Sequence, residues 1–148
     1  MRQILHAAII AVMAGGMNLM ASGQEALGRI VVVAEGFKST EGKAYFALYR
    51  RGENWLKPEE AFRSQIIEIG GDVVKVTLDQ VPYDTYAVNV IHDENENGKL
   101  DMRWFPWPKP KEGAGVSNNR LGAGPPSYDK AKFELSEPSV EIRVELQY

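Results

Sequence analysis

Tyr86-Ala87-Val88-Asn89-Val90-Ile91-His92-Asp93-Glu94-Asn95-Glu96-Asn97-Gly98-Lys99-Leu100-Asp101 changes character halfway along. In its first half Tyr86, Val88 and Val90 recur at every second position, the period of a strand with one buried face. His92 falls on that same face and is expected to point inward at the strand's end. From Asp93 onward the apolar residues stop and oxygen-bearing side chains take every second place. A strand that runs straight into a polar loop sets the reading of the whole chain as sheet joined by turns.

The neighbouring segments repeat the pattern. Ile30-Val31-Val32-Val33-Ala34 is a β-branched run closed by Glu35-Gly36. Ala44, Phe46 and Leu48 alternate with Tyr45, Ala47 and Tyr49 between Lys43 and Arg50. Val74, Val76 and Leu78 follow the turn signal Gly70-Gly71-Asp72, and Ile142, Val144 and Leu146 mark the last strand. Phe133 and Leu135 give a short strand, and 63–69 gives another. Helix has little room: Pro58-Glu59-Glu60-Ala61-Phe62 supports one short turn with proline at its first position. These signals predict an all-β domain over 24–148. It is a single antiparallel β-sandwich, immunoglobulin-like or prealbumin-like, with about seven strands and one long ordered loop from Met102 to Lys130.

The acidic string has the spacing of the first part of a calcium loop. Asp93, Asn95 and Asn97 offer oxygens on one side of the wrapped chain, and Gly98 permits the sharp turn. The Lys99 carbonyl and Asp101 supply further ligands. An EF-hand loop would place a bidentate glutamate where this chain has Trp104, and no flanking helices are predicted. A remote carboxylate must therefore complete a calcium site, with Glu112 and Asp129 as the candidates and Asp84 behind them. A polar hairpin tip with Asn97-Gly98 at its turn is the plainer reading of the same residues.

Three other groups invite chemistry. His92 is read as structural, its ring hydrogen-bonded beneath the turn, and a metal-dependent hydrolase centred on His92 and Asp93 is the competing reading. Trp104, Phe105 and Trp107, set among prolines, either cap the open end of the sandwich or stack on a carbohydrate. Ser117 and Asn118 join them as a possible ligand surface. A serine hydrolase is disfavoured because there is no Gly-x-Ser-x-Gly elbow.

Composition narrows the partners. The 148 residues carry a net charge of -3 and no cysteine, so neither disulfides nor thiol lipidation is available. No basic stripe fits a nucleic acid. Arg2, the apolar run from Ile4 to Met20 and the small residues Ala21-Ser22-Gly23 read as a signal peptide over 1–23, with an uncleaved anchor as the alternative. The expectation is a periplasmic or secreted bacterial protein without membrane insertion after cleavage.

Several segments in order carry a resemblance. Leu78-Asp79-Gln80-Val81-Pro82-Tyr83-Asp84-Thr85-Tyr86-Ala87-Val88 leads into the His92–Asp101 string. Lys111-Glu112-Gly113-Ala114-Gly115-Val116-Ser117-Asn118-Asn119 follows, then Gly124-Pro125-Pro126-Ser127-Tyr128-Asp129-Lys130-Ala131-Lys132-Phe133 and a terminal Leu146-Gln147-Tyr148. Together they resemble the bacterial domain-of-unknown-function family 2141. The resemblance implies an exported protein of this size, a small β-sandwich with the acidic loop at one end, and no established activity. The sequence thus points to an exported non-enzymatic module whose acidic loop binds calcium, contacting a cell-envelope protein or glycan. A carbohydrate-binding module and the His92–Asp93 hydrolase are the rivals.

Overall fold

The computed structural model describes residues 25–104, 106, 108–119 and 124–148. The signal peptide over 1–23, together with Phe105 and Trp107, lies outside the described residues. The alternating segments all become strands: β1 (Leu27–Glu35), β2 (Lys43–Tyr49), β3 (Arg63–Glu68), β4 (Val73–Pro82) and β5 (Asp84–Asp93). Two-residue and three-residue strands follow as β6 (Met102–Arg103), β7 (Lys109–Pro110) and β8 (Ala114–Val116). A four-residue helix α1 (Tyr128–Ala131) precedes β9 (Phe133–Leu135) and β10 (Ser139–Glu145). The turn expected at Pro58 is a 3-10 turn, Pro58–Glu60, with the proline at its start, where a missing N–H is harmless.

One sheet has the order β10-β1-β4 and the other β3-β2-β5-β8, with β9 also on β5. The apolar set of each strand meets between them. Ile30, Val32 and Ala34 of β1, with Val74, Val76 and Leu78 of β4, share one cluster with Phe46, Leu48, Tyr86, Val88 and Val90. The fold is an all-β sandwich, as the alternation predicts. Burying an aliphatic or aromatic side chain there stabilises by about 1.5–3 kcal/mol, and this cluster outweighs any polar contact described below.

Two features depart from the sequence reading. The pairing of β1 with β10 is parallel, whereas the sandwich was expected to be antiparallel throughout. Parallel neighbours need a long crossover, and here the rest of the domain, from Gly36 to Pro138, serves as that connection. The Met102–Lys130 segment is not one loop. It holds a two-stranded hairpin (β6 with β7), then β8, a 3-10 turn at Ser117–Asn119 and α1. Strands this short show no period, and β8 is buried on both faces, so no alternation marks it.

β5 organises the second sheet. Along one edge it pairs with β2 from Asp93 to Ala87. Along the other it pairs with β8 at Asn89–Ile91 and with β9 at Asp84–Tyr86. Between these two partners the Val88 N–H would be unpaired, and the Ser117 hydroxyl accepts it at 2.9 Å. Ser117 in turn donates to the Ala131 carbonyl at 2.6 Å. The outer face of β5 near Ala87 is covered by Val116, Ala131, Trp55 and Tyr128, and Trp55 donates its indole N–H to the Pro126 carbonyl at 2.7 Å. At the same end the Arg50 guanidinium meets Asp84 at 2.6 Å. The Thr85 amide and then Arg50 hold the Asp84 carboxyl below its ordinary value of 3.8.

The opposite end of β5 leads to Asp93. There the turn between β1 and β2 packs on the strand so closely that a Cβ on Gly42 would overlap the Asp93 carbonyl oxygen, and Gly42 also has φ +70°. Gly98 has a similar φ of +73° but open space around it. Gly42→Ala is therefore expected to destabilise by roughly 1–3 kcal/mol or more through strain and overlap, against about 1 kcal/mol for Gly98→Ala. Urea denaturation of the two variants measures the difference, and equal losses would contradict the close approach. A depressed carboxyl stabilises fully above the ordinary value and less as the pH falls through its folded value. Asp84→Asn should therefore lose less stability than wild type between about pH 4 and pH 2. A pH series of melting curves checks this.

Candidate functional site

The end of the sandwich beneath the acidic string is assembled by β5, the Ser39–Gly42 turn, the return of the chain at Glu112 and the C-terminal residues. His92 sits on the inward face of β5 and is fully buried. Its Nε2 lies 2.8 Å from the Glu41 carbonyl oxygen, which can only accept, so Nε2 carries the proton. Its Nδ1 then accepts from the Tyr148 hydroxyl at 2.7 Å, and that oxygen accepts the Lys38 amide at 3.1 Å. Phe37 packs edge-on against the imidazole with ring centroids 5.4 Å apart. Both ring nitrogens are thus in use, and neither faces Asp93.

The loop above it is wound about its first carboxylate. One Asp93 oxygen accepts the Asn97 amide at 3.1 Å and the other accepts the Gly98 amide at 2.7 Å. Asn95 and Asn97 donate their side-chain amides to the two oxygens of Asp101, at 2.9 and 3.0 Å. Their own side-chain carbonyls accept the amides of Asn97 and Lys99, at 3.1 and 2.8 Å. Glu96 takes a left-handed conformation, φ +55°, and its carboxylate meets Lys43 at 3.1 Å.

Glu112 closes the arrangement. It is only 3% exposed, and its two oxygens accept the amides of Glu94 at 3.1 Å and Asp101 at 3.0 Å. One carboxylate therefore bridges the beginning and the end of the acidic string. The side chains of Asp93, Asn95, Asn97, Asp101 and Glu112 all belong to this single hydrogen-bonded unit. Among the described residues no group of three or more His, Asp or Glu side chains is spaced to hold a metal. That accords with each carboxylate here being turned onto amide donors.

Asp129 does not join them. It lies in the first turn of α1, which follows Ser127 and packs near Ala87 and Thr85, at the other end of β5. Its carboxylate is exposed and pairs with Lys132 at 2.8 Å. Asp84 is likewise at that far end, paired with Arg50. Of the three carboxylates considered for completing the loop, only Glu112 reaches it.

The ligand surface drawn from Trp104, Phe105, Trp107, Ser117 and Asn118 also divides. Ser117 is fully buried and its hydroxyl fills the gap in the β5 ladder, so it belongs to the interior. Asn118, at φ +62°, spends its side-chain amide on the carbonyls of Ala131 at 3.3 Å and Lys132 at 3.0 Å. Trp104 is elsewhere, at the tip of the β6–β7 hairpin, and is 73% exposed. An open cleft of about 510 Å³ lies at the Arg50 end, lined by Arg50, Arg51, Glu53, Asn54, Glu60 and Phe62. Its arginines are already engaged by Asp84 and Glu53.

The chain matches, over residues 32–143, the model of a family described as an uncharacterised protein conserved in bacteria, DUF2141. The chain belongs to that family. No curated protein and no solved structure matches it. The matched stretch takes in the DUF2141 acidic loop, Glu112 and the β6–β7 hairpin, and stops two residues short of the end of β10.

The hydrogen-bonded, inward-facing His92 of this DUF2141 chain is as expected, but the sequence did not name its partners. Tyr148 lies 56 residues away in sequence and Glu41 offers only its backbone, so neither leaves a local pattern. Glu112→Gln keeps one acceptor oxygen but turns an NH2 toward an amide donor. It should lower stability by about 1.5–3 kcal/mol, the range for a hydrogen bond to a charged group. Asp129→Asn, which loses only an exposed ion pair, should stay within about 0.5 kcal/mol of wild type. Chemical denaturation without added metal compares them, and equal effects would contradict the clamp.

Proposed function

We propose that this protein is an exported, non-enzymatic β-sandwich module whose Asp93–Glu112 segment takes up calcium. The ion would fix one end of the sandwich as a contact surface in the cell envelope. The observation that carries this reading is the Glu112 carboxylate, buried and held against both ends of the acidic string. A loop whose ends are already joined loses less conformational freedom when an ion binds. The side-chain amides of Asn95 and Asn97, aimed at Asp101, occupy the place where a cation would neutralise that carboxylate. Turning each amide over would present its oxygen instead, giving a hard oxygen shell of Asp93, Asn95, Asn97, Asp101 and Glu112 suited to calcium.

The non-enzymatic part of the reading is supported by His92. A general base needs a free nitrogen within reach of a substrate, and both nitrogens of this ring are already bonded inside a dry site. Export rests on the sequence of residues 1–23, and N-terminal sequencing of the protein recovered from the periplasm tests it directly.

Extracellular calcium modules bind in the range of about 0.1–1 mM. At ten times a millimolar dissociation constant, an ion bound only by the folded state adds about 1.4 kcal/mol, or roughly 3–6 °C in Tm. A calorimetric scan in about 10 mM calcium against chelator should show that rise, and Glu112→Gln should abolish it. The same Tm in chelator and in calcium would overturn the calcium reading. Magnesium should act less, because it demands a regular octahedron and sheds water reluctantly.

A further inference from the structure

The β6–β7 hairpin is a different kind of surface from the loop that carries it. It is a ribbon of two-residue strands, with Met102 opposite Pro110 and Arg103 opposite Lys109. Two like charges directly opposite one another destabilise a ribbon, and a two-stranded ribbon is marginal to begin with. No carboxylate relieves them: no ion pair among the described residues includes Arg103, Lys109 or Lys111. From Met102 to Lys111 the sequence has three cations, no acid, and no serine, threonine, asparagine or glutamine. The whole chain has a net charge of -3, so this ten-residue stretch runs against its charge. Trp104 stands 73% exposed at the tip and Met102 is also exposed.

The ribbon is nonetheless held in place at its base. The Lys111 amide donates to the Asp101 carbonyl at 2.9 Å, and the Glu112 clamp follows directly. A rooted hairpin that keeps an indole in water and sets unpaired cations opposite one another is built to meet something anionic and partly apolar.

We propose that the hairpin is a docking surface for an anionic phospholipid membrane. Trp104 would enter the headgroup region, and Arg103, Lys109 and Lys111 would lie against the lipid phosphates. Tryptophan suits that depth because its ring is apolar and its N–H is polar. Lysines and arginines near an anionic leaflet each add attraction that falls away within a Debye length. A glycan is the lesser fit. Sugar hydroxyls must donate as well as accept, and this stretch has no side-chain oxygen to accept from them. The acidic remainder of the protein would be repelled by the same surface, which orients the molecule tip-first. The inference draws on the reading of the chain as exported only for where such a membrane is met. It does not depend on calcium.

The test uses the full chain with vesicles of phosphatidylglycerol and phosphatidylcholine carrying bromine on the acyl chains. The readout is tryptophan quenching, and the part lost in Trp104→Phe reports the hairpin alone, whatever the N-terminal segment does. Quenching of Trp104 is expected with phosphatidylglycerol and not with pure phosphatidylcholine, and it should fall as salt rises. Lys109→Gln with Lys111→Gln should weaken it by roughly thirtyfold, about fivefold per charge, with Tm unchanged. Chelator should leave it intact, and quenching that required calcium would overturn the role of these cations. Absence of Trp104 quenching on anionic vesicles, or equal quenching on neutral ones, would overturn the proposal. So would a Trp104 emission shift produced by soluble oligosaccharides and not by vesicles, which would assign the tip to a glycan.

Discussion

β5 must be paired along both edges, and the edge away from β2 is served by two separate short strands. That constraint generates most of the irregular structure. To supply β8 the chain leaves β5 at Asp93, runs out through the acidic string and the hairpin, and returns at Ala114. To supply β9 it leaves again at Ser117 and comes back through α1 at Phe133. The first excursion lies at one end of β5 and the second at the other. Ser117 seals the ladder at the point where they divide, so that the Val88 N–H is not left unpaired in the interior.

The first excursion is held by polar groups because little apolar surface is available to it. Glu112 gathers its two ends through backbone amides, and His92 supports it from below through Tyr148 and the Glu41 carbonyl. These bonds add about 1–3 kcal/mol each, well below the burial of the main core. They decide the geometry of one end without deciding whether the domain folds. Asp93, Asp101 and Glu112 put three carboxylates into one hydrogen-bonded unit, and the Lys43–Glu96 ion pair lies on the exposed side of the string. An electrostatic load of that kind is what a divalent ion would relieve.

The sandwich was legible because β1, β2, β4, β5 and β10 are long enough to show a period of two. β9 shows only as Phe133 and Leu135, and β6 to β8 were not legible, since two or three residues cannot display a period and Ala114-Gly115-Val116 is enclosed on both sides. The parallel placement of β10 has no local signature at all. Within the site, the acidic string could be read from spacing, and Glu112 was one of the remote carboxylates offered to complete it. Asp129 could not be excluded from sequence, because the division of the two excursions between opposite ends of β5 is a property of the assembled sheet. The same holds for Ser117, whose hydroxyl looks free until the gap between β8 and β9 is seen. The opposed charges of Arg103 and Lys109 likewise emerge only with the register of the hairpin.

The Asp93–Glu112 unit is proposed to take up calcium, with the Asn95 and Asn97 amides turning over to do so. Titrating calcium into nitrogen-15-labelled protein and following its amide spectrum tests this most directly. Saturable shifts are expected of the Asn95 and Asn97 side-chain NH2 signals, as they give up Asp101, and of the Gly98 amide on Asp93. The Ser117 and Ala131 amides at the far end of β5 should stay still. A spectrum in which the Asn95, Asn97 and Gly98 signals do not move up to about 10 mM calcium, well above the range for extracellular modules, would contradict it.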